Sequence, residues 1–180
     1  MTQVSLFVRW INQIKEKCTS EWLTDAQQEV YRKVLGLWKH ERYMCVYGAT
    51  GCGKSFIARL LHKENGFYYT NDLKEVPTGT PKVVLDGVEY NRLMLMERTK
   101  LGINTLLILC RKRPRDVMPS MELVLTERDV RQFIHRLREN NIITEFRASI
   151  EGQLDLNRIL CEEAMKRGEE YVSSQSGSDT

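Results

Sequence analysis

No stretch of the 180-residue chain approaches the ~18 consecutive apolar residues that a bilayer-spanning helix needs, so no membrane segment is expected. Glycine and proline are scarce, at 11 and 4 residues, which excludes collagen-like and wholly disordered classes. The five cysteines, at positions 18, 45, 52, 110 and 161, form no Cys-x-x-Cys pair and are odd in number. They read as reduced thiols, offering neither a disulfide framework nor a zinc site. The first residues, Met1-Thr2-Gln3-Val4-Ser5, lack the basic-then-apolar pattern of a secretory leader, so a cytoplasmic or nuclear, non-secreted protein is expected. No internal repeat is visible.

What remains is the balance of a globular domain able to bury a core, with 42% apolar and 28% charged residues. The net charge is only +3, but it is unevenly spread. Five acidic and two basic residues lie between Glu162 and Thr180, which leaves about +6 on the rest of the chain. Much of that excess sits in Arg111-Lys112-Arg113-Pro114-Arg115.

Val4, Phe7, Ile11, Ile14 and Cys18 share a helical face, as do Val30, Val34 and Trp38. Thr24 with Gln27 three residues later predicts a capping box and a helix start near Asp25. From Arg42 the texture changes. Short apolar runs at Tyr43–Tyr47, Phe67–Thr70, Lys82–Asp86, Thr105–Cys110 and Met121–Leu125 read as strands. Helical stretches lie between them, at about Lys54–Lys63 and around Leu93, Met96 and Leu101. The alternation predicts an α/β domain with an open, mostly parallel sheet. Val130, Phe133, Ile134 and Leu137 form a further helical stripe, with Thr126 and Asp129 as capping partners. Ile142-Ile143-Thr144-Glu145-Phe146 reads as another strand, and Leu154–Glu170 as a helix. The expected organisation is a helical N-terminal extension at 1–40, an α/β core at 41–150, a C-terminal helix at 151–172 and a disordered tail at 173–180.

The chemistry is carried by Gly48-Ala49-Thr50-Gly51-Cys52-Gly53-Lys54-Ser55, which satisfies G-x-x-x-x-G-K-[ST], the P-loop. Glycines let main-chain N–H groups turn inward around a phosphate without Cβ clashes, and the helix that follows points its positive end at the same anion. Lys54 is placed to reach the β- and γ-phosphates, and the Ser55 hydroxyl to ligate Mg²⁺. Val83-Val84-Leu85-Asp86 is an apolar strand ending in a carboxylate, like a Walker B, expected beside the P-loop strand with Asp86 on the metal. Asp86-Gly87 is also good turn chemistry. Gly87 occupies the place where many ATPases carry a water-activating Glu. Glu89 is the nearest substitute, or else a solvated Glu at a helix start.

These residues, with Thr105-Leu106-Leu107-Ile108-Leu109-Cys110, resemble the Walker A, Walker B and following strand of superfamily 3 helicases. The likeness is to the ATPase domains of replication-initiator proteins of small circular single-stranded DNA viruses, and to AAA+ ATPases more broadly. It covers roughly residues 42–125. The resemblance implies a P-loop NTPase fold, ATP and Mg²⁺ as ligands, and action on nucleic acid as a homo-oligomer. The family's polar sensor, usually Asn, falls where this chain has Cys110-Arg111, and only 18 residues, Gly87 to Asn104, separate the Walker B from the next strand. No His-hydrophobe-His nicking motif is present, so nicking and joining are not implied.

Other readings stay open beside it. Leu23-Thr24-Asp25-Ala26-Gln27-Gln28 looks like the adenine-reading segment of superfamily 1 helicases, although Gln27 also serves as a helix cap. Nucleoside and nucleotide kinases are single P-loop domains of this length with an arginine lid, a part open to Arg111, Arg113 and Arg115. A third class is an interaction module that binds ATP as a switch. The arginine segment itself reads as an arginine finger for a neighbouring subunit, a nucleic-acid backbone contact, a lid, or a solvated loop. GTP is not expected, because no Asn-Lys-x-Asp guanine reader is present. The expected catalytic set is therefore Lys54, Asp86, Glu89 and Arg111. The expected nucleotide contacts are Gly48 through Ser55, and the metal ligands are Ser55 and Asp86.

Overall fold

Tyr43–Tyr47 (β1) and Thr105–Cys110 (β4) are runs of side chains buried on alternate faces, and they pair in parallel with Tyr43 opposite Leu106 and Tyr47 opposite Cys110. In the computed structural model, which describes residues 3–116 and 118–176, they form the centre of a five-stranded sheet. Tyr68–Thr70 (β2), Lys82–Leu85 (β3) and Ser120–Glu122 (β5) complete it in the order β2-β3-β4-β1-β5, with every pairing parallel. All six residues of β4 are buried, as a central strand covered on both faces requires.

The helices are Gln3–Glu16 (α1), Asp25–Leu37 (α2), Lys54–Asn65 (α3), Leu93–Leu101 (α4), Glu127–Glu139 (α5) and Leu156–Ser176 (α6). Thr24 and Thr126 open α2 and α5 with full capping boxes closed by Gln27 and Asp129, as their spacing predicts. One face of the sheet, carrying Met44, Val46, Leu107 and Leu109, packs on residues of α1, α2, α3, α5 and α6 in a single buried cluster. Trp10 and Val34 from the N-terminal helices belong to that cluster, so α1 and α2 share the sheet's core. The other face, with Val83, Leu85, Leu106 and Ile108, is covered by Leu73, Val76 and Ile103, and by Met94 and Leu101 of α4. Burying these aliphatic side chains contributes about 1.5–3 kcal/mol each.

The structure departs from the sequence expectation in four places. Residues 142–146 form no strand. The Ile142 and Ile143 N–H groups instead donate to the Leu137 carbonyl, at 2.9 and 3.3 Å, closing the end of α5. Asn141, in the left-handed region at φ 55°, makes that reversal. The two isoleucines are buried all the same, so the run is apolar because it plugs the core rather than because it pairs. Helix α4 forms where Leu93, Met96 and Leu101 predict it, with Leu93 and Met96 61% and 60% exposed. Strand β3, which leads to Asp86, is not beside β1 as expected; β4 lies between them. α6 runs on to Ser176, so residues 173–176 of the expected tail are helical, and 177–180 lie outside the described residues. β5 ends at Glu122, three residues earlier than its apolar pattern suggests. Among the described residues no helix is long and apolar enough to cross a membrane.

Candidate functional site

β1 leaves the sheet toward β2, while β4 leaves in the opposite direction, over β1 to β5. A crevice opens at the carboxyl ends of parallel strands where the connections diverge in this way. The Gly48–Ser55 loop sits there, between β1 and the first turn of α3.

Its glycines are required by what surrounds them. Gly53 adopts φ 94° at the start of α3, and a Cβ there would lie 2.1 Å from Nε2 of Gln27. Gly51 has φ 76°, and its Cβ would lie 1.8 Å from Oδ1 of Asp155. The carbonyls of the loop are taken by protein donors. Lys54 Nζ donates to the Gly48 and Ala49 oxygens at 2.8 and 2.7 Å, and Gln27 Nε2 to Cys52 O at 3.0 Å. The Leu156 N–H, from the first turn of α6, donates to Gly51 O at 3.1 Å. With these four carbonyls engaged, the loop turns toward a ligand chiefly as N–H groups, which suit an anion.

A cleft of about 1310 Å³ joins this loop to the residues that sequence reasoning singled out. Thr50, Gly51, Gly53, Lys54 and Ser55 line it together with Asp86, Glu89, Arg111, Arg113 and Arg115. Gly48, Ala49 and Cys52 belong to the loop but do not line the cleft. Asp86 reaches it despite the intervening strand, because β3 and β1 end at the same edge of the sheet. Its carboxylate is nearly buried and accepts the Tyr69 hydroxyl at 2.8 Å on one oxygen. Burial, and next the Asp86 carboxylate, push the Tyr69 hydroxyl up to about 12, so it stays a donor. Arg59 lies over the Tyr69 ring at 5.3 Å. Glu89 and Arg111 are exposed on the rim. Eight lysine and arginine side chains line the cleft against three carboxylates, an excess suited to a polyphosphate.

Among the described residues Arg111, Lys112, Arg113 and Arg115 have no ion-pair partner. Three of the four arginines of α5 are instead paired, Arg128 with Asp25, Arg131 with Glu127 and Arg136 with Glu139. Tyr90, after Asp86, donates its hydroxyl to Asp116 and so ties the two rim segments together.

Four features escaped the sequence. Gln27 is the helix cap its spacing predicts, and it also clamps the loop through Cys52. The Arg59–Tyr69–Asp86 chain joins residues of α3, β2 and the end of β3, with no local signal beyond one arginine amid an apolar helix face. The α6 contact on Gly51 spans about a hundred residues and has no signature at all. Part of the cleft wall is apolar, formed by Ile11, Ile14, Trp22, Phe133, Leu156 and Leu160. Of these, Ile11, Ile14 and Phe133 read in sequence only as positions on helical faces.

No group of three or more metal-ligating side chains occurs among the described residues. Mg²⁺ bound through one hydroxyl, one carboxylate, phosphate oxygens and water requires none. Neither a protein-family model nor a curated protein sequence matches the chain.

Proposed function

We propose that the chain binds ATP with Mg²⁺ at the Gly48–Ser55 loop and hydrolyses it, slowly alone and faster on assembly with nucleic acid. The supporting observation is the loop itself: it joins a strand end to a helix start, four of its carbonyls are engaged, and Lys54 is folded over it. In this reading the amides of Gly51, Cys52 and Gly53 meet phosphate oxygens at the positive end of α3. Lys54 exchanges its two carbonyl partners for the β- and γ-phosphates. Ser55 and the second carboxylate oxygen of Asp86 are the groups that would hold Mg²⁺, which when bound shields the phosphates and polarises the terminal phosphoryl group. Glu89 orients the attacking water, and Arg111 offsets charge that develops on the phosphoryl oxygens. The apolar part of the cleft wall offers a dry surface for the base.

A phosphotransferase reading is supported by one feature, the presence of Arg111, Arg113 and Arg115 in the same cleft of the same chain. A nucleotide-dependent switch uses the same loop with little turnover.

The test is calorimetry of the full chain with ATP and Mg²⁺, then turnover with and without single-stranded DNA, double-stranded DNA and RNA, alongside mass in solution. An ATPase of the proposed kind binds ATP, grows in mass with it, and is stimulated by a polymer. A phosphotransferase stays monomeric and consumes ATP only with an acceptor. A switch binds without turnover under any condition. Lys54→Ala should weaken ATP binding at least tenfold, about 1.4 kcal/mol. No heat with any purine triphosphate, or unchanged affinity in that variant, removes the assignment.

A further inference from the structure

Beneath the arginine loop lies a pair of thiols that the nucleotide reading does not use. Cys45 on β1 and Cys110 at the end of β4 point to the same face of the sheet, two residues apart in register, since Tyr47 stands opposite Cys110 and Cys45 opposite Ile108. Their sulfurs are 3.1 Å apart. No other two cysteines among the described residues are in such contact. Around them Met118, Tyr43, Tyr47 and Tyr90 form a small cluster separate from the two larger cores. Cys45 is fully buried, whereas Cys110 keeps a slight exposure and lines the cleft. A small solute in the cleft therefore meets Cys110 and not Cys45.

We infer that Cys45 and Cys110 form a reversible redox site, in which a hydroperoxide reacting at Cys110 is resolved by Cys45 into a disulfide joining β1 to β4. Cys110 sulfur, as thiolate, attacks one peroxide oxygen; the O–O bond breaks, and a cysteine sulfenic acid and hydroxide result. Cys45 then gives its proton to the departing hydroxyl while its sulfur attacks the Cys110 sulfur, forming S–S and releasing water. Two thiols lose two electrons and one hydroperoxide gains them, so the step balances with the peroxide as the named oxidant. With hydrogen peroxide the products are the disulfide and two waters.

The surroundings support this division of labour. The Cys45 S–H beside it, and then the Lys54 ammonium, hold the Cys110 thiol below its ordinary range against the opposing pull of burial. Cys45 is pushed the other way, by its bond to Cys110 and by burial. Cys18, alone in the core, is pushed up to about 11 by burial and has no partner sulfur. The sulfurs need close by only about 1 Å to reach the ~2.05 Å of a disulfide, and Cys110 is the last residue of its strand. The bond would bolt the two central strands together one residue before Arg111. It would also remove the Cys110 S–H donor that holds the Lys112 carbonyl at 3.0 Å.

The experiment treats the folded full chain with hydrogen peroxide, then counts thiols and maps crosslinked peptides after denaturation. Five free thiols should fall to three. One crosslinked peptide pair, carrying residues 45 and 110, should appear, and dithiothreitol should restore all five. Cys161→Ser should leave that loss of two unchanged. Cys45→Ser should abolish the crosslink and trap a sulfenic acid at Cys110, detectable with dimedone. Cys110→Ser should leave Cys45 unreacted. The wild-type map decides the matter even where a variant fails to fold. Five surviving thiols, or oxidation at Cys52 or Cys161 while 45 and 110 stay reduced, overturns the inference. None of these readouts involves nucleotide, so the result is independent of the ATPase proposal.

Discussion

Replacing Gly53 by alanine puts a number on the tension built into the glycine loop. At φ 94° a side chain costs about 1–2 kcal/mol from left-handed backbone alone. The new methyl would also stand 2.1 Å from Gln27 Nε2, so the amide must swing away and release Cys52 O. Losing that buried hydrogen bond costs about 1 kcal/mol. Together the destabilisation should be about 2–3 kcal/mol, or roughly 5–10 °C in Tm for a chain of this size. Gln27→Ala separates the two contributions. It removes the clashing amide and the bond at once, so adding Gly53→Ala to it should cost only the backbone part. The double variant should therefore be more stable than the sum of the singles by about 1 kcal/mol, read from urea unfolding at equilibrium. Additivity to within about 0.5 kcal/mol would refute the clamp, because independent sites behave in that way.

Three further outcomes test other parts of the structure. Burial would raise the Asp129 carboxyl, but the Thr126 hydroxyl and the N–H groups of Ala26 and Thr126 outweigh it and hold the group below its usual value. A depressed carboxylate lends stability that is complete above the unfolded value of about 3.9 and is lost as pH falls through the lower folded value. Urea midpoints should thus drop below about pH 4, and Asp129→Asn should flatten that part of the curve; an unchanged profile would count against the network. Ile143→Ala should cost about 2–4 kcal/mol, because the residue is 3% exposed and plugs the core. A surface-like value below 0.5 kcal/mol would contradict that placement. Leu93→Ser and Met96→Ser should each change the unfolding free energy by less than about 0.5 kcal/mol, since α4 turns both side chains outward; a core-sized loss would show the helix facing inward.

Much of this architecture could be read from local pattern. β4 was legible to the residue because Thr105 followed by five apolar positions and then Arg111 has the length and composition of a strand covered on both faces. The two capping boxes were legible because they need nothing beyond four consecutive residues. Ile142–Phe146 was not, since an apolar run that plugs a core and one that joins a ladder have the same composition. Leu93 and Met96 marked the helix but not its orientation: helical spacing shows which residues share a side, and only the tertiary structure shows which way that side faces. In the site, loop and charge were visible as motifs, whereas Tyr69 on Asp86, Gln27 on Cys52 and Leu156 on Gly51 are meetings of distant segments. So is the Cys45–Cys110 pair, 65 residues apart in sequence, whose proximity depends on β1 pairing with β4.

The sheet ends on both sides in a strand of only three residues, β2 on one side and β5 on the other. Strands so short present too few free amides and carbonyls to template another chain. Growth by strand addition, the route to fibres, therefore has little purchase at either border.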